Sequence, residues 1–136
     1  MANQKIIHNA FRRHIEVAEK SFRDIISVVE QGAEILLGTA KSGQKLFLCG
    51  NGGSAAQSQH FAAEWICKYK DDREPLPAIS LTTDTSALTA IGNDYGFEYI
   101  FARQLRALGS PGDVLVALTT SGRSPNVVKA IASAWP

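Results

Sequence analysis

Cysteine is scarce in this chain. Its 136 residues hold two, Cys49 and Cys67, far apart and in no CxxC or Cys/His pattern. That spacing argues against a disulfide framework and against a cysteine-built zinc site. The expectation is two reduced thiols, buried or half-buried, in a cytoplasmic protein. Charge of one sign is also missing. Fourteen Lys and Arg face thirteen Asp and Glu, a formal net charge of +1. Such a balance provides no long-range field to hold a polyanion, so no nucleic-acid partner is expected. No apolar run approaches the ~18 residues that cross a bilayer, and no membrane partner is expected. The start, Met1-Ala2-Asn3-Gln4-Lys5, lacks the apolar core and small-residue cleavage site of a secretory signal. Low-complexity segments, repeats and linkers are absent as well, which leaves one domain at this length. What is present is an ordinary globular composition, 45% hydrophobic and 20% charged. A chain of this size buries roughly two-thirds of its unfolded surface, enough for a core.

Residues 5–30 carry a helical pattern. Phe11, Ile15, Ala18, Phe22, Ile25 (or Ile26) and Val29 recur at steps of four and three, flanked by Arg12, Arg13, Glu16, Glu19, Lys20, Arg23 and Asp24. Gly32 is expected to break or kink the pattern. A second run, Ala33 to Ala40, is stopped by Ser42-Gly43. Two readings of residues 1–43 stand side by side. One is a helix or helical hairpin packed on its own domain. The other is an oligomerisation helix, since the stripe is long and its period is close to the ~3.5 of a coiled coil.

From residue 45 the grammar becomes strand–loop–helix. Lys45-Leu46-Phe47-Leu48-Cys49 predicts a strand, and Ser54 to about Tyr69 a helix. Asp71-Asp72-Arg73-Glu74-Pro75 reads as a turn and Pro77 to Leu81 as a second strand. Ser86 to Ile91 predicts a short helix, Gly92 to Gly96 a loop, and Phe97 to Leu108 another helix. Val114-Leu115-Val116-Ala117-Leu118 is continuously apolar, as a strand buried on both faces is. Ser124 and Pro125 open a last helix as N-cap and first turn, still running at Trp135-Pro136. Strands alternating with helices imply a parallel sheet with right-handed crossovers, an α/β fold over residues 44–136.

Two loops carry the chemistry. Gly50-Asn51-Gly52-Gly53-Ser54-Ala55 joins a strand to a helix start, where glycines let backbone N–H groups face an anion. The segment satisfies G-x-G-x-x-A, but no acidic residue is well placed for a dinucleotide: Asp71 and Asp72 precede the second strand and Asp84 follows it late. No G-x-x-x-x-G-K-[ST] is present, which excludes a P-loop. Thr119-Thr120-Ser121-Gly122-Arg123-Ser124 again follows a strand and opens a helix, crowding hydroxyls where phosphate binds without a lysine. The plainer reading of each loop is a tight turn and a helix cap. Together they are stronger: in a sheet of order 2-1-3 both open on one crevice, around one phosphorylated molecule. His60 and Glu64 share a helix face at i, i+4, a spacing that suits a divalent metal or acid–base work and also suits an exposed pair. Glu64 is the one carboxylate between Ser54 and Tyr69. A carboxylate near a bound sugar phosphate suits proton abstraction alpha to a carbonyl.

Four motifs in order, Cys49-Gly50-Asn51-Gly52-Gly53-Ser54, His60-Phe61-Ala62-Ala63-Glu64, Gly92-Asn93-Asp94-Tyr95-Gly96-Phe97 and Thr120-Ser121-Gly122-Arg123-Ser124, resemble the phosphoheptose isomerase family of the sugar isomerase (SIS) domain class. The resemblance covers nearly the whole chain. It implies a flavodoxin-like three-layer α/β/α fold and a homotetramer with active sites at subunit interfaces. It implies interconversion of sedoheptulose 7-phosphate and D-glycero-D-manno-heptose 7-phosphate, toward bacterial lipopolysaccharide and capsule heptose. By motif, Asn51, Gly52, Gly53, Asn93 and Asp94 would contact substrate, with Ser54 at the helix start. Thr119, Thr120, Ser121 and Ser124 would hold the phosphate; the family often has Ser where Thr119 stands. His60 and Glu64 would be zinc ligands. Glu64 would also touch substrate, as the base moving a proton through an enediol.

One departure is large. The family continues with further strands and a final helix that supplies a Gln and a His, the other zinc ligands. His8 and His14 do not match that motif. The chain therefore reads as C-terminally truncated, a shortened gene product, a fragment or a degenerate protein. Alone it is expected to hold zinc weakly and turn over little, with its third strand left as an edge. The rival readings are a non-catalytic replication-initiator-associating SIS protein, which looks unlike the isomerase at the Glu64 position, and a phosphosugar-sensing domain. Glu64 favours the enzyme.

Overall fold

The computed structural model describes residues 2–134 and divides into two compact units, one ending at Ile35 and one beginning at Leu36. The expected continuation of the last helix through Trp135-Pro136 lies outside the described residues. The first unit, taken by itself, is helix: α1 runs Ala2–Ser42 without interruption, so the expected break at Gly32 does not occur. One interior glycine costs a helix only about 1 kcal/mol, and here good helix formers flank it on both sides. The stripe residues Phe11, Ile15, Phe22 and Val29 are all exposed. The end of α1 is the one expected. Gly43 takes φ +69°, its N–H donates to the Ala40 carbonyl, and the Gln44 N–H donates to the Thr39 carbonyl. These crossed bonds form a Schellman stop, which needs glycine for its left-handed residue.

The second unit is a three-stranded parallel sheet with helices on both faces. Its elements are β1 (Leu46–Gly50), α2 (Gly53–Ile66), β2 (Ala78–Ser80), α3 (Thr85–Asp94), a 3-10 turn (Phe97–Tyr99), α4 (Ile100–Leu108), β3 (Val114–Leu118) and α5 (Pro125–Ala134). The strand order is β2-β1-β3, as expected. Leu46 pairs with Ala78 on one side and Val114 on the other; Gly50 pairs with Leu118. Alternate β1 side chains point to opposite faces. Phe47 and Cys49 enter a core with Leu81, Ile100, Phe101, Leu105, Val127 and Ala130. Leu46 and Leu48 enter a second core with Ala62 and Ala78, against Leu36, Phe61 and Trp65. The central strand is buried on both faces for this reason.

Several boundaries differ from expectation. β3 is half-buried rather than fully buried, because it pairs on one side only among the described strands. Helix α2 stops at Ile66 rather than Tyr69: Arg73 Nη2 donates to the Glu64 and Trp65 carbonyls, satisfying the helix end from the following turn. Helix α3 continues to Asp94, and its start is capped by Asp84, whose Oδ1 accepts from the Ala87 N–H at 2.9 Å. Asp84 is thus a helix cap rather than a ribose ligand. Cys49 is buried, and burial pushes its thiol up to about 11, so it stays protonated; Cys67 is exposed, not half-buried. Among the described residues no helix is long and apolar enough to cross a membrane.

At the N-terminal edge of the sheet Asp113 ties β3 to β1. Its carboxylate, 8% exposed, accepts from the Lys45 ammonium at 2.9 Å, the Lys45 N–H at 2.8 Å and the Ser110 N–H at 2.8 Å. Burial raises its pKa, but these three donors outweigh burial and hold it below the usual carboxylate value. A carboxyl lowered by folding stabilises above its unfolded pKa, and that contribution is lost as pH falls through the folded one. Asp113→Asn is expected to cost about 1–3 kcal/mol at pH 7. The deficit should shrink below roughly pH 4, read as urea midpoints of both chains at pH 7 and pH 3.

Candidate active site

The crevice lies at the C-terminal ends of β1 and β3, where the glycine loop and the hydroxyl loop emerge. A cleft of about 540 Å³ opens there, lined by Asn51, Phe97, Glu98, Ser124, Pro125, Asn126 and Lys129. The local sequence explains the close approach of the two loops. A Cβ on Gly50 would sit 2.8 Å from the Ser54 Cβ and 2.9 Å from the Leu118 carbonyl oxygen, so only glycine lets β1, α2 and β3 converge. Gly52 holds φ +55° with ψ −121°, a conformation that side chains avoid, and turns the chain into α2. The Ser54 N–H donates to the Asn51 carbonyl and the Ala55 and Ala56 N–H groups to the Gly52 carbonyl. Among the described residues the Gly52 and Gly53 N–H groups take no partner, which leaves two donors at a helix start.

The other candidate residues separate into groups. Ser124 lines the cleft at the cap position of α5, its carbonyl accepting from the Val128 N–H. Thr119, Thr120 and Ser121 lie in the exposed loop before it. Thr119 Oγ1 accepts from the Gly122 N–H at 3.1 Å and Ser121 Oγ from the Arg123 N–H at 3.2 Å, so these hydroxyls hold the loop's shape. Asn93 and Asp94 are not in a loop: they end α3, exposed, with Asn93 Nδ2 donating to Asp94 Oδ1 at 2.7 Å. Asp94 lines a second cleft of about 600 Å³ with Tyr95, Tyr99, Arg103 and Arg106. Lys129 borders both clefts, 3.3 Å from the Tyr99 hydroxyl.

His60 and Glu64 do meet. Nε2 and Oε1 are 3.4 Å apart, with the His side chain 78% exposed and the Glu 29%. Their place is a surprise. Glu64 is eleven residues past the start of α2, a rise of roughly 16 Å along the helix. The neighbouring Trp65 carbonyl accepts from the Leu76 N–H, and the Pro77 carbonyl accepts from the N–H of Leu46, the first residue of β1. Glu64 therefore sits by the N-terminal edge of the sheet, opposite the crevice. The expectation that the pair lies near a ligand held by its own glycine loop is corrected for Glu64: α2 runs antiparallel to the strands and carries it away, whereas His60 follows Gln59, whose amide donates to Thr82 just beyond the C-terminal end of β2.

The SIS domain model matches residues 10–135. The phosphoheptose isomerase of Campylobacter concisus is 51% identical over 132 residues, covering 95% of this chain and 70% of that protein. That of Helicobacter hepaticus is 50% identical over 127 residues, 93% of this chain and 64% of the relative. The solved phosphoheptose isomerase from Neisseria gonorrhoeae superposes with a TM-score of 0.88 at 46% identity, over 96% of this chain and 68% of that one. One from Francisella tularensis gives 0.92 at 36% identity. The chain belongs to the phosphoheptose isomerase family of SIS domains.

Within this SIS domain the zinc expectation has a geometric test. Tetrahedral zinc with bonds of about 2.0–2.1 Å sets neighbouring ligand atoms roughly 3.3 Å apart. The 3.4 Å between His60 Nε2 and Glu64 Oε1 fits that separation and is long for a hydrogen bond. Nitrogen and carboxylate oxygen are both zinc donors. Among the described residues no group of three His, Cys, Asp or Glu comes together, so the pair has no third such donor beside it there.

Sequence reasoning missed Phe97, Glu98, Asn126 and Lys129. Glu98 and Phe97 lie in the 3-10 turn, which packs between α3 and α5. Asn126 had a signal: a polar residue beside Val127 and Ala130, on the face of α5 that enters the core.

Proposed function

We propose that the protein is a cytoplasmic aldose–ketose isomerase that interconverts sedoheptulose 7-phosphate and D-glycero-D-manno-heptose 7-phosphate for bacterial lipopolysaccharide or capsule heptose. The observation that carries the reading is the shared crevice: two anion-suited loops meeting at the ends of adjacent parallel strands. Gly52 and Gly53 N–H groups, Ser54 and the Thr119, Thr120, Ser121 and Ser124 hydroxyls hold the phosphate. Asn51 takes a sugar hydroxyl in the crevice, and Asn93 and Asp94, at the end of α3 by the second cleft that Lys129 joins to the crevice, take hydroxyls of the part of the sugar that extends there. Isomerisation then needs one base. Glu64 removes the proton from the carbon beside the carbonyl, the carbonyl oxygen gains a proton, and an enediol forms. Return of the proton to the neighbouring carbon, with loss of the other hydroxyl proton, gives the isomer with no net change in atoms. Zinc held in part by His60 and Glu64 would polarise the sugar's carbonyl and hydroxyl oxygens.

Because Glu64 lies opposite its own crevice, this reading requires a second copy to bring its Glu64 there. The exposed apolar residues of α1, Phe11, Ile15, Phe22 and Val29, suit association of copies into a homotetramer. The test is turnover of sedoheptulose 7-phosphate by this chain with and without added zinc, alongside calorimetric binding of zinc and of the sugar phosphate. With two protein donors, zinc should bind weakly and dialyse away, and His60→Ala should remove what binding there is. Sugar phosphate binding without turnover at any zinc concentration, persisting after a family C-terminus is joined to the chain, would replace the isomerase with a phosphosugar-binding role. Absence of both would end the reading.

A further inference from the structure

Asn126 is 2% exposed, the second residue of α5, on the face that carries Val127 and Ala130 into the core. A buried carboxamide there is costly unless its polar atoms are paired. Its partner is Asn51 of the glycine loop, 75 residues away. Asn51 Nδ2 donates to Asn126 Oδ1 at 2.9 Å, and Asn126 Nδ2 donates to Asn51 Oδ1 at 2.8 Å. Asn126 Oδ1 also accepts from the Val127 N–H at 3.0 Å, which uses both its lone pairs. The acceptor is thus fixed by the helix start, and the ring of two amides fixes Asn51 in turn.

Apart from the turn bonds that lead it into α2, the tip of the glycine loop is open. A Cβ on Gly52 or Gly53 would meet nothing within 4 Å, and both residues are exposed. Asn51 keeps one side-chain N–H and one lone pair beyond the amide ring, and it lines the cleft. We propose that Asn126 is a positioning residue: it sets the Asn51 carboxamide, with its remaining donor and acceptor, for a sugar hydroxyl, and clamps the glycine loop to the start of α5. This rests on the sugar-phosphate reading above for the ligand, not for the clamp. A site held within a fraction of an ångström by its supporting residues loses affinity when they are removed, even though they touch no substrate.

The test compares the full chain with Asn126→Ala, Asn126→Asp, Asn51→Ala and the double alanine chain. Nuclear magnetic resonance follows exchange of the Asn51 side-chain amide and of the 51–54 backbone amides without ligand. Calorimetry follows sedoheptulose 7-phosphate. Asn126→Ala should speed Asn51 side-chain exchange and weaken binding about tenfold. Asn126→Asp keeps the acceptor and loses the donor, so its loss should be smaller. In the Asn51→Ala background the second alanine should weaken binding no further, which a general loss of stability would not reproduce. Unchanged exchange and affinity in a folded Asn126→Ala chain overturns the proposal, as does an equal penalty in the Asn51→Ala background. Should Asn126→Ala not fold, Asn126→Asp decides by the same two readouts. Should the unaltered chain not bind the sugar phosphate, the isomerase reading fails and Asn51 exchange alone decides the clamp.

Discussion

Glu64→Gln is expected to lower turnover of sedoheptulose 7-phosphate by about 10²–10⁴-fold, the contribution of a positioned general base, while binding of the sugar phosphate persists. The amide keeps the size of the carboxylate and removes its basicity, and among the described residues the half-buried Glu64 carboxylate has His60 as its partner. The loss should therefore appear in kcat rather than in stability. The position of Glu64 makes a sharper form of the test available. A chain with an intact Glu64 but a damaged crevice, Asn51→Ala with Ser124→Ala, should also be inactive. Mixed and reassembled, the two inactive chains should recover about a quarter of the turnover, because random pairing of subunits creates sites with one good crevice and one good carboxylate. No recovery would mean that each crevice is served by its own chain. The carboxylate then to examine is Glu98, which lines the crevice directly. If Glu98→Gln, rather than Glu64→Gln, abolishes turnover, the base is Glu98.

The sequence made the sheet and its crevice readable for a physical reason. Strand β1 is a short apolar run closed by glycine, and Gly50, Gly52 and Gly43 each sit where the backbone or a close approach demands glycine. Such positions leave a mark on the residue itself. Alternation of strands and helices made the parallel sheet readable, and the order β2-β1-β3 is the one assumed for a doubly wound sheet. What was not readable depends on direction and on long-range partners. The i, i+4 spacing of His60 and Glu64 shows that they meet, but not which end of the sheet they reach. That was set by the length of α2 and the return of the chain through Leu76 and Pro77. Asn93 and Asp94 looked like loop residues because Gly92-Asn93-Asp94 is turn-like in composition. The chain instead stays helical to Asp94 and turns at Gly96, φ +100°. Asn126 carried a sign of burial, a polar residue on the core-facing side of α5, but its partner was hidden, because Asn51 is 75 residues away. Pairwise contact between distant polar residues has no periodicity to reveal it.

The largest stability effect should come from Gly50→Ala. The added methyl would meet the Ser54 Cβ at 2.8 Å, the Ser54 carbonyl carbon at 2.9 Å and the Leu118 carbonyl oxygen at 2.9 Å. Two of these three are backbone atoms, so no rotamer change relieves them. Either α2 lifts from the end of β1, or β3 slides from its pairing with β1 at Gly50 and Leu118. Overpacking of this kind costs about 1–3 kcal/mol, and more where the backbone must give. In a unit of this size each kcal/mol lowers the melting temperature by about 4–8 °C, so a fall of roughly 5–20 °C is expected. The damage should not be only thermal. The strand end that moves carries Asn51, and the loop after Leu118 leads to Ser124 and Asn126, so the two halves of the crevice separate together. Affinity for the sugar phosphate should fall well below the melting temperature, where the rest of the fold is intact. Gly53→Ala is the matched control: its Cβ meets nothing within 4 Å, and it lies in the first turn of the same helix. An equal loss of melting temperature in both variants would mean that the loop needs flexibility there rather than space at Gly50. A loss confined to Gly50→Ala would establish that one missing methyl group is what lets two strands and a helix meet at the crevice.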